Sequence, residues 1–445
     1  MCSNVSKMSS MRAMAISALF GWIVSSVYFA FHEPGALEVQ MTREYEWTPE
    51  EHGLLFTAYS IPPCWMTSVA GVMITYYGLK RVGLCLLSFL VTGVLVGAVA
   101  SSLALSSEAR LFWWFIGRLL VGVGGEAMVT WQQAACSQWF SGEHIGKSMS
   151  TALAVQQVVG SALSFMVLPA FGTVQGGAWA CVVFCTFCLM CLGVYVLVEK
   201  SHQPYLRAKR MATRRTSWAD TNIWTMMKTF PLTFWAQLLV IFFADTVLYT
   251  AANYFPAWLE EVYHMGDEEA GLCTSIMYWM GVFAPLAGML TDKYGLRLTA
   301  QVVTTLTIGV VFLALYLAPP GLLSPYLAIG AVGLLFSVVE YNSYTVLEAT
   351  WRNVKGEPEG IGFGLLGFAL NTGLATLPEL VGAIAMRTGT TAHQTAVFAC
   401  WMFGACAVSA AMRCMPDGDG LDSVGAPAAE QLADDRCERL LPGDK

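Results

Sequence analysis

The segment Gly71-Val-Met-Ile-Thr-Tyr-Tyr-Gly78-Leu-Lys80 returns 217 residues later as Gly288-Met-Leu-Thr-Asp292-Lys-Tyr-Gly295-Leu-Arg297. Each copy sits in a short polar gap after the second long apolar run of its half. A helix-loop-helix repeated at half-chain spacing means that the chain is built twice. In a hydrophobic chain, two such halves form bundles able to rock about a central site, and transport of a small solute across a membrane is the expected activity.

Composition supports a lipid setting. Of 445 residues, 56% are hydrophobic and only 12% charged, against roughly 25% charged in soluble proteins; mean hydropathy is +0.56. A spanning helix needs roughly 20 apolar residues. Twelve such runs lie near 12–31, 53–75, 82–104, 111–134, 148–171, 178–198, 233–255, 269–291, 298–318, 322–349, 360–386 and 393–413. They are continuous and contain Gly and Pro, which suits helices better than the alternation of a membrane barrel. The expected fold is all-α, with twelve transmembrane helices in two pseudo-symmetric six-helix bundles. The expected divisions are an N-tail (1–11), an N-terminal bundle (12–198), a linker (199–230), a C-terminal bundle (231–413) and a disordered C-tail (414–445).

Basic residues orient the chain. With both termini on one side, that side receives twenty of the 24 Lys and Arg. The far side receives Arg43, Arg110 and Arg387, and Arg118 lies inside a helix. The termini and the linker, which carries Arg207, Lys209, Arg210, Arg214 and Arg215, are therefore expected in the cytosol, where the linker can touch anionic headgroups. Acids gather on the far side (Glu33 to Glu51, Glu260 to Glu269) and in the C-tail. No basic patch points to nucleic acid, and the first apolar run is too long for a cleavable signal peptide.

Motifs for chemistry are weak. Gly142-Glu-His-Ile-Gly146-Lys147-Ser148 has three residues between its glycines where a phosphate loop needs four. Gly122-Val-Gly124-Gly125-Glu126 mimics a dinucleotide fingerprint, but no strand precedes it, and close helix packing explains the glycines better. The stripe Cys181, Cys185, Cys188, Cys191 likewise reads as small packing residues rather than metal ligands. No enzyme, metal or cofactor is expected.

The glycine-rich repeat resembles the G-x-L-x-D-R-x-G-R-[KR] loop of the major facilitator superfamily, and Arg118-Leu-Leu-Val-Gly122-Val-Gly124 is similar to its fourth-helix R-x-x-x-G-x-G motif. Finer features resemble the lysosomal dipeptide uniporters called major facilitator domain-containing protein one. They are Phe31-His-Glu-Pro34-Gly-Ala-Leu37, Tyr59-Ser60-Ile-Pro62, Gly124-Gly125-Glu126, Trp139-Phe140-Ser-Gly142-Glu143 and Asn371-Thr-Gly373-Leu374-Ala375. The resemblance implies an alternating-access transporter of an endolysosomal membrane. It also implies a basic residue in the fifth helix, but Ala154-Val-Gln156-Gln157-Val158-Val159-Gly160 carries none, and Thr75 replaces the Asp of the loop motif.

Ionisable groups at mid-bilayer cost at least about 2.5 kcal/mol and are functional candidates by default. Glu126, Asp245, Glu340, Glu348 and Glu379 outnumber the lone Arg118, so a cavity they line is expected to favour a cationic or zwitterionic solute and to be able to bind protons; the resemblance implies that this solute is a dipeptide or an amino acid. Glu126 leads, either as ammonium partner or as a group paired with Arg118, although eight residues of helix separate them by about 12 Å. Glu340 opens a polar patch that holds Ser343, the residue 217 beyond Glu126, and Asp245 stands at the same offset from Tyr28. Gln156, Gln157 and Asn371 offer neutral donors, and Tyr59, Trp131, Tyr249 and Asn253 are candidate walls.

The resemblance assigns Arg118 to gating and coupling. Gly71, Gly78, Lys80, Gly288, Asp292, Gly295 and Arg297 are the candidate cytosolic latch. Candidate partners are the cargo, the bilayer and, by resemblance, a glycosylated accessory membrane protein. The only glycosylation sequon, Asn4, is on the cytosolic side, and Asp435-Arg-Cys-Glu438-Arg-Leu440-Leu441 approximates an acidic dileucine signal. The competing readings are another organic solute at the plasma membrane and a sensor with a transporter fold.

Overall fold

A computed structural model of the chain describes residues 10–139, 148, 151–213, 227–283, 286, 294–319, 321–350, 359–416 and 418–422. Gly288, Asp292, the turn around Gly142, much of the linker, and the dileucine-like end of the tail lie outside the described residues. The first half holds α1 (Ser10–Ala36), a short α2 (Glu38–Tyr45), α3 (Pro49–Ser60), α4 (Pro63–Ser102), α5 (Ser107–Trp139) and α6 (Thr151–Phe171), then α7 (Val174–Thr213). The second half holds α8 (Leu232–Tyr263), α9 (Asp267–Trp279), α10 (Arg297–Leu317), α11 (Pro325–Thr350), α12 (Glu359–Thr388) and α13 (Gln394–Met412).

Among the described residues, 10 helices are long and apolar enough to cross a membrane. The second crossing is split between α3 and the start of α4, and α9 with the 3-10 turn Met280–Phe283 stands at the eighth. The architecture is the expected all-helical one of twelve crossings.

The duplication is visible in the backbone. Gly78 breaks α4 with φ 79°, and Gly295, just ahead of α10, has φ 82°. Only glycine adopts such positive φ without steric cost, so the two copies share this requirement at their second glycine. Gly71, Gly78 and Lys80 surround the first break. Arg297 starts α10, and its carbonyl accepts a hydrogen bond from Asn342 Nδ2 at 3.3 Å.

Elsewhere the helix starts follow local chemistry. Thr48 and Glu51 form a reciprocal cap in which the Thr48 N–H donates to Glu51 Oε2 at 2.8 Å, with Pro49 as the first helical residue of α3. The glycines of α5 permit close approach. A Cβ on Gly124 would collide with the Leu86 carbonyl, and one on Gly125 would lie 2.6 Å from the Tyr59 hydroxyl. The cysteine stripe packs α7 on α1, the thiols of Cys185 and Cys188 reaching the carbonyls of Ser26 (3.7 Å) and Trp22 (3.3 Å).

Three boundaries differ from the sequence reading. The helix α7 runs on to Thr213, beyond 198. The helix α1 continues through Pro34 to Ala36, so Glu33, counted above with the far-side acids, is inside a helix and 2% exposed. Proline normally ends a helix because it lacks an N–H, but membrane helices keep it where other groups satisfy the freed carbonyl.

The third difference is in the tail. Beyond α13 the chain turns back, and Asp422, in the stretch expected to be disordered, caps α10. Its Oδ1 accepts from the N–H of Leu298 (2.7 Å) and of Thr299 (3.1 Å). Replacing Asp422 by Ala leaves those amides unmet and should lower stability by about 1 kcal/mol. A melting curve of the purified variant that overlays the parent's would show that the cap contributes nothing.

Candidate functional site

Between the halves lies a tight cavity to which both contribute. The N-terminal half supplies Tyr28 and Phe31 from α1 and Glu126 from α5. The C-terminal half supplies Asp245 and Tyr249 from α8, Glu340 and Tyr344 from α11, and two leucines of α12, Leu370 and Leu374. Tyr28 and Asp245, 217 residues apart, line it from repeat-related helices.

Each carboxylate accepts hydrogen bonds from neutral donors. The Tyr59 hydroxyl donates to Glu126 Oε1 at 3.4 Å. Ser343 Oγ donates to Asp245 Oδ1 at 2.9 Å. Glu340 Oε1 accepts from Tyr249 Oη at 3.2 Å and from Gln157 Nε2 at 3.1 Å. The Gln157 bond crosses between the halves. It arises where α6 widens into a π-helical stretch over Gln156–Ala162, a distortion common at functional sites.

Aromatic rings frame the same space. Tyr28 stacks on Tyr249 with centroids 6.3 Å apart, and Phe31 meets Tyr249 edge-on at 6.1 Å. Gly160 lets α6 approach α1 at this level, since a Cβ there would lie 2.7 Å from the Ser25 carbonyl and 2.9 Å from Tyr28.

Arg118 is placed elsewhere. Its Nη1 donates to the Ala30 carbonyl at 2.5 Å, Nη2 to Phe31 at 3.0 Å and Nε to Leu55 at 3.2 Å. Ala30 is the residue whose helical partner would be position 34, where proline has no N–H to give. The guanidinium therefore fills the gap that Pro34 opens in α1. It shares a separate small hollow with Glu33, and no ion pair joins it to Glu126 among the described residues.

Of the other candidates, Asn371 bonds back to the Gly367 carbonyl at 2.9 Å, with its Oδ1 buried and unpartnered among the described residues. Trp131 and Asn253 are not cavity walls: the Trp131 indole donates to the Leu79 carbonyl at 2.8 Å, and Asn253 Oδ1 pairs with His32 Nδ1 at 2.8 Å. Glu379 accepts from Thr57 at 3.1 Å, joining α12 to α3, and the Glu348 side chain lies outside what is described. Sequence reading had Tyr344 only as the end of the polar patch that Glu340 opens, and it missed the wall residues Phe31, Leu370 and Leu374. The wall positions of α1 and α11 were recoverable, because Phe31 follows Tyr28 by one helical turn and Tyr344 follows Glu340 by one.

The end of the cavity on the side of the α1–α3 connection is closed by contacts between halves. The Asn253–His32 bond joins α8 to α1, Arg43 reaches Asp267 at 3.1 Å, and Gly382 of α12 lies too close to the Pro49 carbonyl to admit a Cβ.

A twice-built, all-helical chain with a polar cavity between its halves and one end sealed is, by architecture, a membrane transporter. It is a multi-pass membrane protein with lipid around it and a small molecule as its cargo. The chain belongs to the Major Facilitator Superfamily, whose family model matches residues 13–405. A similar relative is the lysosomal dipeptide transporter MFSD1 of Bos taurus, 21% identical over 376 residues, covering 80% of this chain and 76% of that protein. A probable small intestine urate exporter of Mus musculus is 27% identical over 305 residues, covering 63% of this chain and 57% of that one. Among solved structures, the inward-open xylose transporter XylE from E. coli superposes with TM-score 0.68 at 13% identity, over 88% of this chain and 93% of its own; this last likeness concerns the fold.

Beside the seal, His52 Nε2 stands 3.9 Å from Glu38 Oε1, with the side chains 3% and 6% exposed. Glu38 lies on α2, and His52 just precedes the second apolar run. Burial pushes Glu38 well above the usual carboxylate range, and the charge of Glu260 adds to it. Burial holds His52 down to about 3, and Arg118 adds to that. Tyr254 also packs on His52, at 5.9 Å. The closed pair thus carries one proton.

In an open, hydrated gate the pair would titrate near its ordinary values, about 4.3 and 6.5. Above about pH 6.5 the open pair holds no proton, so closure takes one up and weakens as pH rises. Below about 4.3 the open pair holds two, so closure releases one and weakens as pH falls. The closed fraction, read from spin-label distances across the outer loops, should peak between these values. His52→Gln should remove the acid limb and bring the start of the alkaline decline down from about pH 6.5 to about 4.3, and a closed fraction of the parent protein flat from roughly pH 4 to 8 would exclude the pair from gating.

Proposed function

We propose that this transporter carries a small cationic or zwitterionic solute, a dipeptide or an amino acid, across an endolysosomal membrane by alternating access. The observation that carries the reading is the convergence of Glu126, Asp245 and Glu340, drawn from both halves, on one cavity. Carboxylates held by neutral donors keep lone pairs for an ammonium group. The likeness to lysosomal dipeptide transporters supports the cargo class and the organelle. An organic anion is disfavoured by the acidic lining, although a urate exporter is among the relatives.

In this reading the halves rock about the cavity. Gly71, Gly78 and Lys80 in one loop, with Gly288, Asp292, Gly295 and Arg297 in the other, form the cytosolic latch. Arg118 couples the latch to the cavity by fixing α1 and α3 to α5. A glycosylated accessory membrane protein would supply the lumenal glycan that this chain, with its single sequon at Asn4, does not place there.

Uptake by liposomes that contain the purified protein tests the reading, with dipeptides, amino acids and amines as labelled cargo. Glu126→Gln should weaken apparent affinity at least about tenfold, the worth of one charge-assisted hydrogen bond. Asp292→Asn should slow transport more than it weakens binding. Uptake by Glu126→Gln equal to the parent's would remove Glu126 from the cargo site.

A further inference from the structure

The cavity is one-sided in charge, and that asymmetry selects within the cationic solutes of the reading above and against its dipeptides and amino acids; the inference rests on that reading only for the cavity being the cargo site. Among the described residues, three carboxylates line it, one from the N-terminal half and two from the C-terminal half, and no Lys, Arg or His does. The buried cation nearest in sequence to Glu126, Arg118, donates to three backbone carbonyls at 2.5, 3.0 and 3.2 Å and does not line the cavity. Most of the neutral donors are committed as well, which leaves, among the described residues, the hydroxyls of Tyr28 and Tyr344 as the free ones on the wall. Gln157 and Tyr249 donate to Glu340, Ser343 to Asp245, and Tyr59 to Glu126. A cargo carboxylate would find acids and acceptors around it and no free cationic fork to hold it, and like charges brought together oppose binding strongly.

What the cavity does offer suits ammonium groups. The rings of Tyr28, Tyr249 and Tyr344 stand beside the carboxylates, and aromatic faces attract cations, more so when water is excluded. Leu370 and Leu374 add a short apolar strip against which methylenes can lie. The acids belong to opposite halves, so a cargo with positive charge at both ends bridges them.

We propose that the cargo is a small organic dication that carries no carboxylate, an alkyl diamine or a basic peptide amide. One ammonium group sits at Glu126 and the other between Glu340 and Asp245. Recognition uses the acids and the aromatic walls alone.

Ligand pairs on the unaltered full-length protein test this, read by thermal shift and by competition in liposome uptake. A lysine-containing dipeptide is compared with its C-terminal amide, and an alkane diamine with the monoamine of equal length. The amide should bind at least about tenfold more tightly than the free acid, and the diamine at least about tenfold more tightly than the monoamine, each a difference of about one hydrogen bond to a charged group. Glu126→Gln and Glu340→Gln should each bring the diamine down to the monoamine's affinity. Tighter binding of the free dipeptide, with transport intact, overturns the dication and leaves the transporter reading standing. Equal binding of diamine and monoamine overturns the bridge. Failure of every small solute to bind or move overturns both readings.

Discussion

Arg118 is the fixed point of the N-terminal half. A guanidinium inside a membrane needs acceptors around it, and here each of its three nitrogens donates to a main-chain oxygen of α1 or α3. One of them, the Ala30 carbonyl, is free because Pro34 cannot donate to it. The proline and the arginine, 84 positions apart in the chain, thus solve each other's problem. Without the arginine, the Ala30 carbonyl would be left without a donor in the stretch of α1 that carries Tyr28 and Phe31 to the cavity.

That arrangement also separates the charges. The positive group is held by the backbone on one side of α5, and the negative groups face the space between the halves. Had Arg118 turned toward Glu126, the two would have neutralised one another. Eight residues of helix keep them apart, and the glycines between them, Gly122, Gly124 and Gly125, let Tyr59 and Leu86 press close to α5. The same glycines that imitate a nucleotide-binding fingerprint therefore set the position of the hydroxyl that meets Glu126.

Much of this was legible in the sequence, and for identifiable reasons. Asp245, Glu126 and Glu340 stand out as acids in apolar runs. The 217-residue offset related Tyr28 to Asp245, and both line the cavity. The offset also matched Gly78 to Gly295, whose backbones share a positive φ. What could not be read were directions. Periodicity puts Arg118 on a helix but does not say which carbonyls it meets, and an in-helix proline reads as an ending, which misplaced Glu33 by treating it as loop. Trp131 and Asn253 are polar-edged side chains in apolar runs, as cavity walls are, yet their donors and acceptors are spent on Leu79 and His32. Asp422 lay in a polar, low-complexity tail with no local sign that it caps a helix through an amide 124 residues earlier.

The Gln157–Glu340 bond has a bearing on how tightly anything can be held. An amide of one half donates to the acid of the other, and in the proposed reading it competes with the cargo for that acid. Any visitor to Glu340 must displace that amide, and its net gain is smaller by about the 1 kcal/mol that such a bond contributes. For a machine whose purpose is to release what it binds, self-occupancy of this kind trades grip for turnover.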